Sequence, residues 1–131
     1  MASEKPQRDQ GREQRIARFL AGAHGDEYER MSAWYGYLEE HVRFPFRATC
    51  TGRGAASSLR LLEQVEVIDL ACVDDWEDGA RVTLGGDKHD LDVPLAQLTP
   101  SHSTDAESQQ AVADWHYWVR MGYHFWTEDE G

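Results

Sequence analysis

Positive charge is scarce in this chain and unevenly spread. Thirteen Lys and Arg stand against 24 Asp and Glu, a formal net charge of −11. The first twenty residues hold Lys5, Arg8, Arg12, Arg15 and Arg18 against Glu4, Asp9 and Glu13, a balance of +2, so the remaining body carries −13. A body this negative is repelled by nucleic acid and by anionic lipid. That excludes both as expected partners and suits a soluble protein that attracts cations or basic partners.

Long apolar runs are missing as well. No stretch approaches the roughly 18 residues that cross a bilayer. The first apolar cluster, Ile16 to Ala23, is short and interrupted, so the start of the chain is not expected to be a secretory signal. Cysteine is limited to Cys50 and Cys72, both in strand-like segments. They are expected to be buried, reduced thiols, with a disulfide or a metal pair as the alternative. The expected compartment is the cytoplasm.

The motifs of catalysis and of zinc binding are also absent. There is no GxSxG, no P-loop and no GxGxxG; Gly52-Arg53-Gly54 lacks both the remaining glycine and the strand-to-helix setting. The histidines form no HxxxH or HExxH, and the cysteines form no CxxC. Nothing singles out two carboxylates as an acid–base pair, so no enzyme is expected.

What remains is a single globular domain. At 131 residues the chain can bury a sizeable core, and 40% hydrophobic with 11% aromatic content is a globular composition. Residues 1–22 read as a basic, flexible N-terminal extension, with a short helix from Arg12 to Leu20, and residues 23–131 as the domain. A helix is expected from Glu27 to Val42, capped by Asp26 with Glu29 three residues on. Its buried stripe is Met31, Trp34, Tyr35, Leu38 and Val42. Pro45 ends it.

From Phe46 the period falls to 2: Phe46, Ala48 and Cys50 alternate with Arg47 and Thr49. Val65 to Cys72 is the next strand, with a bulge near Val67 to bring Ile68, Leu70 and Cys72 into phase. Ala80 to Leu84, a Gly85-Gly86-Asp87 turn, and Leu91 to Val93 form a hairpin. Pro94 ends that pairing, and Leu95 and Leu98 pin a turn onto the core. A second helix opens at a Thr104/Glu107 capping box and buries Val112, Trp115 and Val119. Tyr123 to Trp126 could add an edge strand. The expected fold is α+β: a small antiparallel SH3-like sheet flanked by two amphipathic helices.

The most pointed chemistry is an acidic run, Asp74, Asp75, Glu77 and Asp78, broken by Trp76 and closed by Gly79. Crowded carboxylates repel one another. Such a run is either spread in water or a ligand set for a cation. Calcium takes six to eight oxygens in irregular cages, which such a loop can offer. The run is no EF-hand: with Asp74 first, Trp76 stands at the third position and Gly85 at the twelfth, where Glu is required. Any calcium site must therefore be completed from elsewhere. Glu40 is a candidate, because it stands with Glu39 at a helix C-terminus, where the macrodipole disfavours anions; pairing with Arg43 or Arg47 is the plainer reading. Asp114, on the border of the second helix's buried stripe, is another, and an arginine partner is its plainer reading. Asp90 and Asp92 share one sheet face and could add field or a ligand.

Several segments resemble the cyanobacterial CcbP-type calcium-binding protein family. They are Trp34-Tyr35-Gly36-Tyr37-Leu38-Glu39, Phe44-Pro45-Phe46-Arg47-Ala48, Val65-Glu66-Val67, Val93-Pro94-Leu95-Ala96-Gln97-Leu98 and Asp114-Trp115-His116-Tyr117-Trp118-Val119. Their order and rough spacing match over about residues 27 to 126. The resemblance implies a small acidic protein that binds Ca2+ without an EF-hand, as a buffer, sequesterer or signalling element. It also implies a ligand role for the loop holding Asp74 to Asp78. The rival expectation is a metal-free SH3-like interaction module. A protein partner stays open, as does a choice between monomer and weak homodimer.

Overall fold

The structure is a computed structural model that describes residues 7–23, 27–52, 59–76, 79–88, 91–123 and 125. In chain order its elements are α1 (Gln10–Leu20), α2 (Glu27–His41), β1 (Phe46–Cys50), β2 (Gln64–Leu70), β3 (Arg81–Leu84), β4 (Asp92–Pro94), β5 (Leu98–Pro100) and α3 (Ala106–Arg120). The five strands form one antiparallel sheet in the order β4-β3-β2-β1-β5. The chain meanders through four strands, makes a 3-10 turn at Leu95–Gln97, and brings β5 back beside β1. This α+β arrangement is the expected class, and its connectivity is compatible with an SH3-like sheet.

Alternation places the core. On β1 Phe46, Ala48 and Cys50 are buried; on β3 Val82 and Leu84 are. The β2–β3 register shifts between Val67 and Asp69, where the bulge was expected. Its effect differs from the expectation, however. The irregularity turns both Ile68 and Asp69 outward and returns Leu70 to the core, so Ile68 is 41% exposed. The same phase leaves Cys72 exposed, correcting its expected burial, whereas Cys50 is buried; neither forms a disulfide.

The helices pack an aromatic cluster over the sheet. Trp34 of α2 meets Trp115 of α3 edge to face at 4.9 Å, and Phe125 stacks on Trp115 at 5.7 Å. Phe125 is buried, and among the described residues Tyr123 and Phe125 form no strand. The first turn of α3 is capped by Asp105, whose carboxylate accepts from the Ser108 backbone N–H at 2.9 Å. Helix geometry begins at Ala106, so Asp105 displaces the expected Thr104/Glu107 box. Asp26, the expected cap of α2, lies outside the described residues.

Residues 1–22 were expected to be a loosely attached arm, yet α1 is a third packed helix. Ile16 is buried, and Phe19 stacks on Tyr37 with centroids 4.1 Å apart. The rest of its docking is polar. Arg12 and Arg15 reach Asp114 of α3, while Tyr117 and Tyr123 both donate to Glu13, at 2.6 and 2.9 Å. These partners are about a hundred residues away in sequence, which is why a local reading of α1 shows little reason for it to dock.

Candidate metal centre

The acidic run begins where β2 ends. Ala71 still pairs with the strand beyond, its N–H donating to the Arg81 carbonyl at 2.9 Å. The chain then tightens into a 3-10 turn, Val73–Asp75, with Asp75 N–H on the Cys72 carbonyl and Trp76 N–H on the Val73 carbonyl. Trp76 dives into the core. It is fully buried, its indole N–H donates to the Ala71 carbonyl at 3.1 Å, and its ring lies between Tyr35 and Phe125. A large apolar residue amid four acids thus serves as the anchor of the loop, and Asp74 and Asp75 on the turn before it are exposed. Glu77 and Asp78 lie outside the described residues.

The far end of the loop is pinned at Gly79. Its φ is +151°, and a Cβ there would stand 3.1 Å from Cζ2 of Trp115. Only glycine takes this backbone without strain. Gly79→Ala is expected to lower stability by about 1–3 kcal/mol in urea unfolding, and an unchanged midpoint would show that the loop relaxes freely.

Electrostatics around this loop are one-sided. Asp74 and Asp75 have no basic partner among the described residues. Tyr35, packed on Trp76, has its hydroxyl pKa raised, first by burial and then by the negative charge of Glu39 and Asp69. Glu39 and Asp69 therefore share the field of this face. Glu40, rather than Glu39, is the ligand expected from the sequence. The available signal was helical spacing: Glu39 follows Tyr35 by four residues on one line of α2, while Glu40 is rotated on by about 100°.

The structure puts Glu40 and Asp114 elsewhere. Glu40 lines a cleft with Arg15, Arg18, Tyr37 and Glu107 at the junction of the three helices. Asp114 is fully buried under α1 and caged. Its Oδ1 accepts from Arg12 at 2.6 Å and from Arg15 Nη2 at 2.8 Å; its Oδ2 accepts from Arg15 Nε at 2.8 Å and from the Tyr37 hydroxyl at 2.5 Å. Burial alone pushes this carboxyl up, but the hydrogen bonds from Arg15, Tyr37 and Arg12 outweigh it and hold it below the usual carboxylate range. The same bond raises Arg15, and burial together with it raises Tyr37. Two guanidinium groups stand where a cation would have to bind.

Three further candidates have partners or surroundings of their own. Asp92 accepts from the Thr83 hydroxyl at 2.8 Å, and Asp90 lies outside the described residues. His41 pairs with Glu107 at 2.8 Å. Burial is the main cause that lowers the His116 imidazole pKa below its usual value. Among the described residues no three His, Cys, Asp or Glu side chains group closely enough to hold a metal. The donors the loop does offer are carboxylate and carbonyl oxygens, a hard set that fits calcium or magnesium rather than zinc.

The family model for CcbP proteins, described as calcium binding, matches residues 14–119. The crystal structure of Anabaena CcbP is similar at 30% identity and a TM-score of 0.77, covering 95% of this chain and 99% of that one. A calcium-binding protein in its calcium-binding form is similar at 30% identity and a TM-score of 0.68, covering 88% of this chain and 94% of that one. No curated protein sequence matches. The match from 14 to 119 takes in most of α1 as well as the sheet, α2 and most of α3, and by it the chain belongs to the CcbP family of calcium-binding proteins.

Proposed function

We propose that the protein captures Ca2+ directly in the loop from Asp74 to Asp78. The observation that carries this reading is the pair Asp74 and Asp75, exposed and without a basic partner on a turn whose next residue, Trp76, is locked into the core. Anchoring the loop offsets part of the ordering cost of gathering like charges before an ion arrives. Glu77 and Asp78 supply further carboxylates of the same run, and Glu39 and Asp69 add negative field. Bound calcium would neutralise this local repulsion, and the −13 body would draw it in.

The role is buffering, sequestration or signalling by a non-catalytic protein of the cytoplasm. No described helix is long and apolar enough to cross a membrane. An exposed, charge-driven site belongs at the sensor or weak end of the calcium range, about 10⁻⁶–10⁻³ M, and should weaken with ionic strength.

Calorimetric titration with calcium, and with magnesium as control, tests the reading. The double variant Asp74→Asn/Asp75→Asn is expected to lose about tenfold or more in calcium affinity, because affinity follows ligand charge count. Glu40→Gln, whose carboxylate lies in the helix cleft, should stay within about threefold of the parent. Equal affinity in the double variant and the parent would move the site away from this loop. No calcium heat at millimolar ion would remove the reading altogether.

A further inference from the structure

We infer that the groove where the three helices meet is a contact face for a second copy of this chain. Two adjoining recesses of about 480 and 450 Å3 share Phe19, Ser32 and Ala33 and run along α2 beside α1. Their floor is apolar, built on the Phe19–Tyr37 stack, and one end is extended by Tyr28, which is 52% exposed. Gly36 opens the middle: a Cβ built there meets nothing within 4 Å. Glycine inside a helix costs about 1 kcal/mol relative to alanine. Among the described residues nothing requires it, but a second helix laid across α2 would.

The rim selects the occupant. Arg18 from α1 and Glu40 from α2 line the same recess with opposite charge, and neither has an ion-pair partner among the described residues. Arg15 and His41 there already have partners, Asp114 and Glu107. A wholly basic partner would repel Arg18, and a wholly acidic one would repel Glu40. A copy related by a two-fold axis satisfies both, because the rotation that sets Arg18 on the partner's Glu40 also sets Glu40 on the partner's Arg18. The patch is small, since α2 with 15 residues is only about 22 Å long, and each copy carries −11. The dimer is therefore weak and reversible.

Sedimentation velocity of the full chain at about 10–500 µM, the range that reports weak interfaces, tests this. Salt of about 0.15 M keeps the Debye length near 8 Å, which screens the net charges and spares close pairs. A monomer–dimer equilibrium is expected. Arg18→Glu and Glu40→Arg should each weaken it by about tenfold or more. An equimolar mixture of these two variants should recover it, because opposite charges then meet at both contacts. Gly36→Leu should fill the groove and abolish the dimer while keeping a monomer at least as stable as the parent. A chain that is monomeric throughout, an association that Gly36→Leu leaves intact, or variants that fail to recover on mixing would each overturn the inference.

Discussion

Replacing Asp114 by alanine is expected to cost about 3 kcal/mol or more in urea unfolding. The substitution removes one carboxylate and leaves three partners. Arg12, Arg15 and the Tyr37 hydroxyl all converge on its two oxygens, and they come from α1 and α2 while Asp114 lies on α3. Breaking a buried charge network leaves uncompensated charge behind. The side chains of Arg12 and Arg15 are 28% and 33% exposed, so water takes up part of the loss and the value falls at the lower end of the range. Undocking of α1 should follow, visible as faster hydrogen exchange over Gln10–Leu20 at unchanged exchange in β1 and β2. A loss below about 1 kcal/mol would show that Ile16, Phe19 and the Glu13 hydrogen bonds hold α1 without this cage.

The same carboxylate sets an acid limit. Its folded pKa is depressed below the ordinary 3.8, so its contribution is complete above that value and is lost as the pH falls through the folded pKa. Stability should thus decline below about pH 4, and the Asp114→Ala variant should show a shallower decline over that window.

Trp76→Ala is expected to lose about 3–5 kcal/mol, the cost of emptying a buried aromatic site. Its distinctive consequence is on the ion. Without the ring packed against Tyr35 and Phe125, and without the N–H bond to Ala71, the turn at Asp74 and Asp75 is left with the partly buried Val73 as its hold on the core. Calcium affinity should fall with it, because the carboxylates must then be ordered at the time of binding. Trp76→Phe separates the two effects. It keeps most of the packing and gives up the hydrogen bond, worth about 1 kcal/mol, so it should hold calcium close to the parent level. If Trp76→Ala binds calcium as well as the parent at a temperature where both are folded, the anchor matters for stability alone.

The parts of the fold legible in the sequence are those with a strong local period. The α2 stripe of Trp34 and Leu38, the alternation of β1 and the register shift in β2 all follow from side-chain spacing. The outward turn of Ile68 did not, because a bulge fixes where the phase changes and leaves open which residues are left over. The docking of α1 was illegible for a different reason: its energy lies in Arg12, Arg15 and Glu13 meeting residues of α3 and beyond, a pairing no local pattern encodes. Asp114 could be seen as unusual, a carboxylate on an apolar border, and an arginine partner was the plainer of its two readings. The acidic loop was visible as charge. The anchoring of its ends was not, since that depends on Trp76 finding Phe125 and on Gly79 lying against Trp115.

The most direct measurement is a crystal structure of the full chain grown with calcium, with the ion located by its anomalous signal. Calcium is expected with oxygens of Asp74 or Asp75 within about 2.3–2.6 Å, and the Arg12–Arg15–Asp114 cage is expected to be unchanged. An ion seated at another cluster, with both of these carboxylates free in solvent, would contradict the account.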